Sequence, residues 1–165
     1  MMLVRKVLEN DAQAFLNMQL QLDHETKYMM YEPNERLNDI NRTLNNIRAS
    51  ITNNNLLLCA VQTDEIVGFL AASKGSFQRN RHSAYIVIGL LEKARSKGFG
   101  RQLFDQLLLW AKEQGLARLE LTVLCMNRPA ITLYQKYGFE IEGTKRRSLL
   151  IDGEYVDEYY MAKLL

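Results

Sequence analysis

The chain has 165 residues, 47% of them hydrophobic, enough for one domain with a sizeable core. Lys and Arg number 21 against 19 Asp and Glu, a formal net charge of +2 that argues against nucleic acid as the main partner. The two cysteines, Cys59 and Cys125, lie inside apolar strand-like runs, which points to buried thiols in a reducing cytosol rather than a disulfide framework.

"MLVRKVL" reads as a first strand, and the charges at Arg5, Lys6, Glu9 and Asp11 give no sign of a signal peptide. Asn10 or Asp11 can cap a helix with Ala14, Phe15, Met18 and Leu22 on one face. The stretch "DHETKYMMYEP" has no clean period. Asn34 then opens a second helix in which Leu37, Ile40, Leu44 and Ile47 recur at helical spacing. "NLLLCAVQ" and "EIVGFLAAS", separated by Thr63 and Asp64, predict a hairpin, and "LLLCAV", the longest apolar run, is too short to span a membrane. "HSAYIVIGLL" reads as a buried strand. A helix from about Gly98 presents Leu103, Phe104, Leu107, Leu108 and Ala111 inward and stops at Gly115. "ARLELTVL" alternates as a strand; Asn127 caps a short helix with Pro129 in its first turn and Gly138 at its end. Two closing strands flank the hairpin signal Asp152-Gly153.

The predicted order is β-α-α-β-β-β-α-β-α-β-β, an α/β (α+β) chain forming one domain over residues 1–165. The hairpins imply antiparallel pairing, and the strand-helix-strand unit from Ala84 to Leu124 implies one parallel pair. The fold class is a mixed, mostly antiparallel twisted sheet with helices on both faces.

The densest chemistry lies in "EKARSKGFGRQLF", where Gly98 and Gly100 stand among Lys93, Arg95, Lys97 and Arg101 at a helix start. A helix N-terminus with free N–H groups suits a phosphate. The dinucleotide fingerprint fails because Leu103 stands where its third small residue belongs, and no Gly-Lys-Ser/Thr loop is present. Arg95-x-x-Gly98-x-Gly100 after a buried strand resembles instead the pyrophosphate loop of the GNAT superfamily of acetyl-CoA-dependent N-acetyltransferases. "NRPAITLYQKYGFEIEG" is similar to that family's second signature: Asn127 at a helix start, Tyr134 seven residues on, and Gly138-Phe139 closing the helix. The element order matches the family fold, and "GEYVDEYYM" resembles a subgroup that includes ribosomal-protein-type and free L-amino-acid N-acetyltransferases.

The resemblance implies that acetyl-CoA is the co-substrate, with no metal. Residues Arg95, Ser96, Lys97, Gly98, Phe99, Gly100 and Arg101 would cradle its pyrophosphate. Backbone groups of Ile88 and Leu90 would pair with the pantetheine arm, Asn127 would bond it, and Lys136 is a further cofactor candidate. Tyr134 would lie near the sulfur as the catalytic group. This chain departs from the family in reading Leu90-Leu91-Glu92 where many members read Val-x-Pro.

An amine attacking a thioester needs a neutral nitrogen, oxyanion stabilisation and a proton for the departing thiolate. Phenol and thiol have ordinary pKa values of about 10 and 8.5, so Tyr134 suits the last role. Glu25, Glu32 and Glu35, beside the irregular segment, and His82 and Tyr85, on the strand that should face the cofactor, are candidates for the acceptor site; the base stays open among these groups and a water chain. A non-catalytic acyl-CoA-binding module is the alternative function. Metal chemistry is not expected from two histidines, His24 and His82, without ligand-like spacing. A homodimer using Tyr155, Tyr159 and Met161 on the closing strands is expected, in the cytoplasm.

Overall fold

The computed structural model describes residues 1–165. Seven strands form one sheet in the order β1-β2-β3-β4-β5-β7-β6. They are β1 (Met2–Lys6), β2 (Leu56–Gln62), β3 (Glu65–Lys74), β4 (Ser83–Leu90), β5 (Arg118–Leu124), β6 (Glu140–Ile151) and β7 (Glu154–Leu164). Four helices, α1 (Ala12–Glu25), α2 (Ile40–Thr52), α3 (Phe99–Glu113) and α4 (Arg128–Lys136), fall between them in the predicted order. The chain divides into two compact units, Met1–Ser73 with Val87–Trp110, and Lys74–Ile86 with Ala111–Leu165, so β4 and α3 each contribute to both.

In the first unit, β2 and β3 form a hairpin whose turn residues Thr63 and Asp64 have φ of 50° and 63°, the left-handed pair that a two-residue hairpin turn needs. Both strands are buried in continuous runs, from Leu58 to Ala60 and from Ile66 to Leu70, rather than in alternation. Strands of that pattern are covered on both faces. Helix α1 buries Ala12, Phe15, Leu16, Met18 and Leu22; Ala14 faces solvent, so the apolar stripe is offset from the expected one.

Helix α2 begins at Ile40, not near Asn34. Asp39 is the reason: its carboxylate accepts the N–H groups of Asn41 and Arg42 at 3.0 and 3.2 Å, a full N-cap. Asn34 sits in a turn at φ 68°, and Leu37 and Ile40, expected on a core face, are 59% and 42% exposed. The segment between α1 and α2 is tied down instead by charge. Arg36 donates through Nε and Nη2 to the two oxygens of Asp23 at 2.6 and 3.1 Å, and its guanidinium lies 4.3 Å from the Tyr31 ring centre.

In the second unit, β4 and β5 run parallel and pair at Ser83↔Arg118, Ala84↔Leu119 and Tyr85↔Glu120. β5 pairs along its whole length with β7, and β7 with β6, both antiparallel, closing on the Asp152-Gly153 turn. On β5 the residues Leu119, Leu121 and Val123 are buried, whereas Arg118, Glu120 and Thr122 are part-exposed, so one face of this strand belongs to the core and the other is open to solvent over those positions. Met161 is 1% exposed and cannot line a two-fold contact, whereas Tyr155 is 66% exposed. No helix is long and apolar enough to cross a membrane.

Asp23 is 2% exposed, so Asp23→Ala strands a guanidinium that is itself only 16% exposed. A loss of about 3 kcal/mol in unfolding free energy is expected, read by urea denaturation at neutral pH; a loss indistinguishable from zero would mean that the pair does not hold the segment.

Candidate active site

In the first unit, a short 3-10 turn over Glu92–Ala94 follows β4 and leads into the glycine loop. Ser96 and Gly98 both adopt left-handed conformations, φ 58° and 88°, and Phe99, which opens α3, is fully buried. Gln102 makes the first intrahelical bond, to the Gly98 carbonyl at 3.2 Å, so the N–H groups of Phe99, Gly100 and Arg101 have no acceptor within the helix. A Cβ built on Gly98 would meet nothing within 4 Å. The left-handed backbone demands glycine there, and open space lies above it. Gly100 sits inside the first turn of α3.

The cations of the loop differ in their engagements. The Arg95 guanidinium donates to the Leu90 carbonyl at 3.2 Å, and Lys97 reaches Gln62 at 3.3 Å. Lys93 is paired with Glu65 at 2.6 Å, and Arg101 lies 4.0 Å from Asp105 one helical turn on, both largely exposed. Ile88 and Leu90 lie beyond the last β4–β5 pair, Tyr85↔Glu120, so their backbone groups are not used in that ladder.

Glu25, expected near the acceptor, ends α1. Its carboxylate accepts the Gln21 amide at 2.7 Å and the Glu92 backbone N–H at 2.8 Å, so it holds the start of the turn that precedes the loop. Glu32 and Glu35 close a local turn, with the Glu32 N–H donating to the Glu35 carboxylate at 2.8 Å. Glu35 also lines a cavity of about 400 Å³ together with Phe15, Tyr31, Arg36, Arg42 and Phe69.

In the second unit, Asn127 caps α4: its side-chain oxygen accepts the Ala130 N–H at 3.4 Å and its carbonyl accepts the Ile131 N–H at 3.1 Å. Tyr134 is 7% exposed and packs at a tilt against Phe139, 6.1 Å between ring centres, whereas Tyr137 falls outside the helix at its C-cap. Burial, reinforced by a smaller electrostatic contribution from Tyr85, pushes the Tyr134 phenol well above its ordinary pKa. The phenol therefore stays protonated at neutral pH and can donate. Lys136 is exposed in the last turn of α4.

Tyr85 projects from the open face of β4, and its hydroxyl lies 2.7 Å from the Thr122 hydroxyl on β5. The two help line a cavity of about 340 Å³ with Arg118, Glu120, Glu142 and Tyr160. Arg118 donates to Glu120 at 2.7 Å and to both oxygens of Glu142 at 3.0 and 2.5 Å, and these bonds hold the Glu142 carboxyl below its usual range. His82 is exposed, precedes β4, and has its carbonyl taken by the N–H groups of Ala117 and Arg118. Sequence reasoning did not single out Thr122, Arg118, Glu120, Glu142 or Tyr160. The alternation of polar residues along β5 was the available signal, since it marks a strand with one uncovered face.

Burial pushes the Cys59 thiol to about 11 and the Cys125 thiol upward as well, so neither carries a thiolate at neutral pH. No group of three His, Cys, Asp or Glu side chains is placed to hold a metal ion. Because Gly98 sits at φ 88°, Gly98→Ala should cost about 1 kcal/mol of stability through backbone strain alone, measured by thermal unfolding without ligand.

Comparison with known proteins places these features in a family. The chain is 37% identical over 111 residues to the L-amino acid N-acetyltransferase AaaT of Escherichia coli, covering 65% of this chain and 67% of that one. An acetyltransferase of the GNAT family from Streptococcus pneumoniae superposes with a TM-score of 0.95 at 27% identity, over 100% of this chain and 99% of that one. A GNAT superfamily phosphinothricin acetyltransferase from Sinorhizobium meliloti, solved in complex with acetyl-CoA, shares the fold at a TM-score of 0.88 and 18% identity, over 99% and 88% of the two chains. The model of the acetyltransferase (GNAT) family matches residues 17–139, from α1 through the Gly138-Phe139 close of the α4 signature, and the chain belongs to that family.

Proposed function

We propose that this chain is an N-acetyltransferase that moves the acetyl group of acetyl-CoA directly onto a primary amine. The observation that carries the reading is the loop into α3. It combines a left-handed glycine with open space above it, a helix start with free N–H groups, and Arg95, Lys97 and Arg101 around it. That donor set suits a pyrophosphate, because the N–H groups and the helix dipole both favour anionic oxygen. Ser96, Gly98, Phe99 and Gly100 supply the backbone cradle. Ile88 and Leu90, outside the β4–β5 ladder, offer backbone groups to an extended amide-bearing arm. Asn127 is assigned to the same arm, and Lys136 is an outer electrostatic contact.

Acetyl-CoA supplies an activated thioester when bound. The chain's own contribution is to position it and to hold a proton. Tyr134 keeps that proton on its phenol oxygen, since burial opposes its ionisation. A covalent acyl-enzyme on cysteine is disfavoured because both thiols are held protonated. Tyr85 with Thr122 marks the acceptor side in the second unit. We place the reaction in the cytoplasm, within a single catalytic domain spanning 1–165. The exposed Tyr155 and Leu150 of the β6–β7 hairpin support pairing of two copies.

Two measurements test this reading. Calorimetric titration with acetyl-CoA should give saturable binding that Gly98→Val weakens at least ten-fold, since a β-branched residue at a left-handed position distorts the cradle. Undiminished affinity in a folded variant would remove the loop from the site. Tyr134→Phe should lower kcat by roughly ten- to a thousand-fold, with acetyl-CoA affinity retained and Tyr137→Phe close to wild type. Equal activity of the two variants at saturating acetyl-CoA would exclude Tyr134 from proton transfer.

A further inference from the structure

Glu25 is the last residue of α1, so its charge stands at the end of the helix where the dipole opposes an anion. Helix α1 gains nothing from an acid at that position. The carboxylate is instead engaged with the chain that leads into the glycine loop. One oxygen accepts the Gln21 amide at 2.7 Å, and the other accepts the Glu92 backbone N–H at 2.8 Å, across a separation of 67 residues.

That N–H needs an acceptor from elsewhere. Glu92 opens the 3-10 turn Glu92–Ala94, and the first N–H of such a turn has no partner inside it. The residue before it, Leu91, has no side chain able to cap. The inner side of the turn is fixed by packing: Leu91 and Ala94 are fully buried, and the Leu91 N–H donates to the Val67 carbonyl of β3 at 2.8 Å. The residues Glu92, Lys93, Arg95, Ser96, Lys97 and Gly98 are all exposed. Their side-chain bonds run to exposed Glu65, to Gln62, and back to the Leu90 carbonyl within the same segment. Glu25 grips the main chain itself.

The grip bears on the loop because Ser96 adopts a left-handed conformation, φ 58°, without being glycine. Such a residue is held there only when the structure on both sides determines it. On the far side the determinant is buried Phe99. On the near side it is the turn that Glu25 holds. Both the carboxylate and the loop belong to the first unit.

We propose that Glu25 is a positioning residue for acetyl-CoA: its bond to the Glu92 N–H fixes the entrance of the loop and so preorganises Ser96 to Arg101 for the pyrophosphate. The assignment rests on the acetyltransferase reading above. Glu25 acts through the main chain and does not touch the cofactor. Its charge works in the opposite sense, because a carboxylate beside an anion's site repels the anion. Removing Glu25 tightens acetyl-CoA binding if charge is all that it contributes, and weakens it if the tether matters.

Calorimetric titration of the whole chain with acetyl-CoA separates the two. In Glu25→Ala the Kd should rise roughly three- to ten-fold, less than the full value of a hydrogen bond to a charged group because the contact is part-exposed. Glu25→Gln keeps an oxygen for the N–H, and Gln21 can turn its own amide oxygen to the new NH2, so most of the affinity should be retained. The double variant Glu25→Ala with Glu92→Pro should recover affinity. Proline at the first position of a turn needs no acceptor, and Leu91 already has the extended ψ, 149°, of a residue before proline. An unchanged or lowered Kd in Glu25→Ala, a Glu25→Gln variant as weak as Glu25→Ala, or a double variant as weak as the single would overturn the assignment. Hydrogen exchange without ligand gives a second readout at the N–H groups of Ala94 and Arg95, which are bonded to the Leu91 and Glu92 carbonyls at 2.9 and 3.1 Å. Their exchange should quicken in Glu25→Ala and slow again in the double variant. Wild-type protein that does not bind acetyl-CoA would sink the acetyltransferase reading, and equal exchange in wild type and Glu25→Ala would sink the tether.

Discussion

The start of α3 depends on one local constraint, a fully buried phenylalanine placed directly after a glycine in the left-handed conformation. Burying Phe99 contributes about 2–3 kcal/mol and pins the first turn of the helix to the core of the first unit. Gly98 then has to reverse the chain immediately outside that anchor, at φ 88°, and the N–H groups of Phe99, Gly100 and Arg101 are left without acceptors in the helix. The suitability of this helix start for an anion is thus a consequence of packing.

Charge in this protein is disposed according to burial. The ion pairs of the loop, Lys93–Glu65 and Arg101–Asp105, are exposed and contribute little to stability. They place cations beside the loop proposed to take an anion. Inside, the arrangement is stricter. Asp23 has two bonds from one arginine, so an irregular segment without helical period is held against α1. Glu158 has one bond from a neutral hydroxyl.

The chemistry expected of an acetyl transfer also follows from exclusion of water. Tyr134 is raised by burial and stays protonated at neutral pH. The same desolvation raises Cys59 and Cys125, which removes the two residues that could have competed as nucleophiles.

Much of this was legible in the residues themselves. Turn chemistry at Thr63-Asp64, Gly115, Gly138 and Asp152-Gly153 marked the ends of elements, because left-handed backbone is accessible to few residue types. The loop around Gly98 and the helix from Asn127 to Tyr134 could be read because what marks them lies in local backbone and in i to i+7 spacing. The start of α2 was misread because an apolar period ran through Leu37 and Ile40, while the cap at Asp39 ended the competition. Glu158 was not visible at all. Its burial, its bond to Ser148 and its place beside Thr122 and Tyr160 come from strand register and from a bulge, and register is a long-range property that pairs residues far apart in the chain. The sequence by itself determined the elements, their order and the loop that suits a phosphate; only the tertiary structure decided which side chains share the open face of the sheet, because that choice depends on which residue of one strand stands opposite which residue of the next.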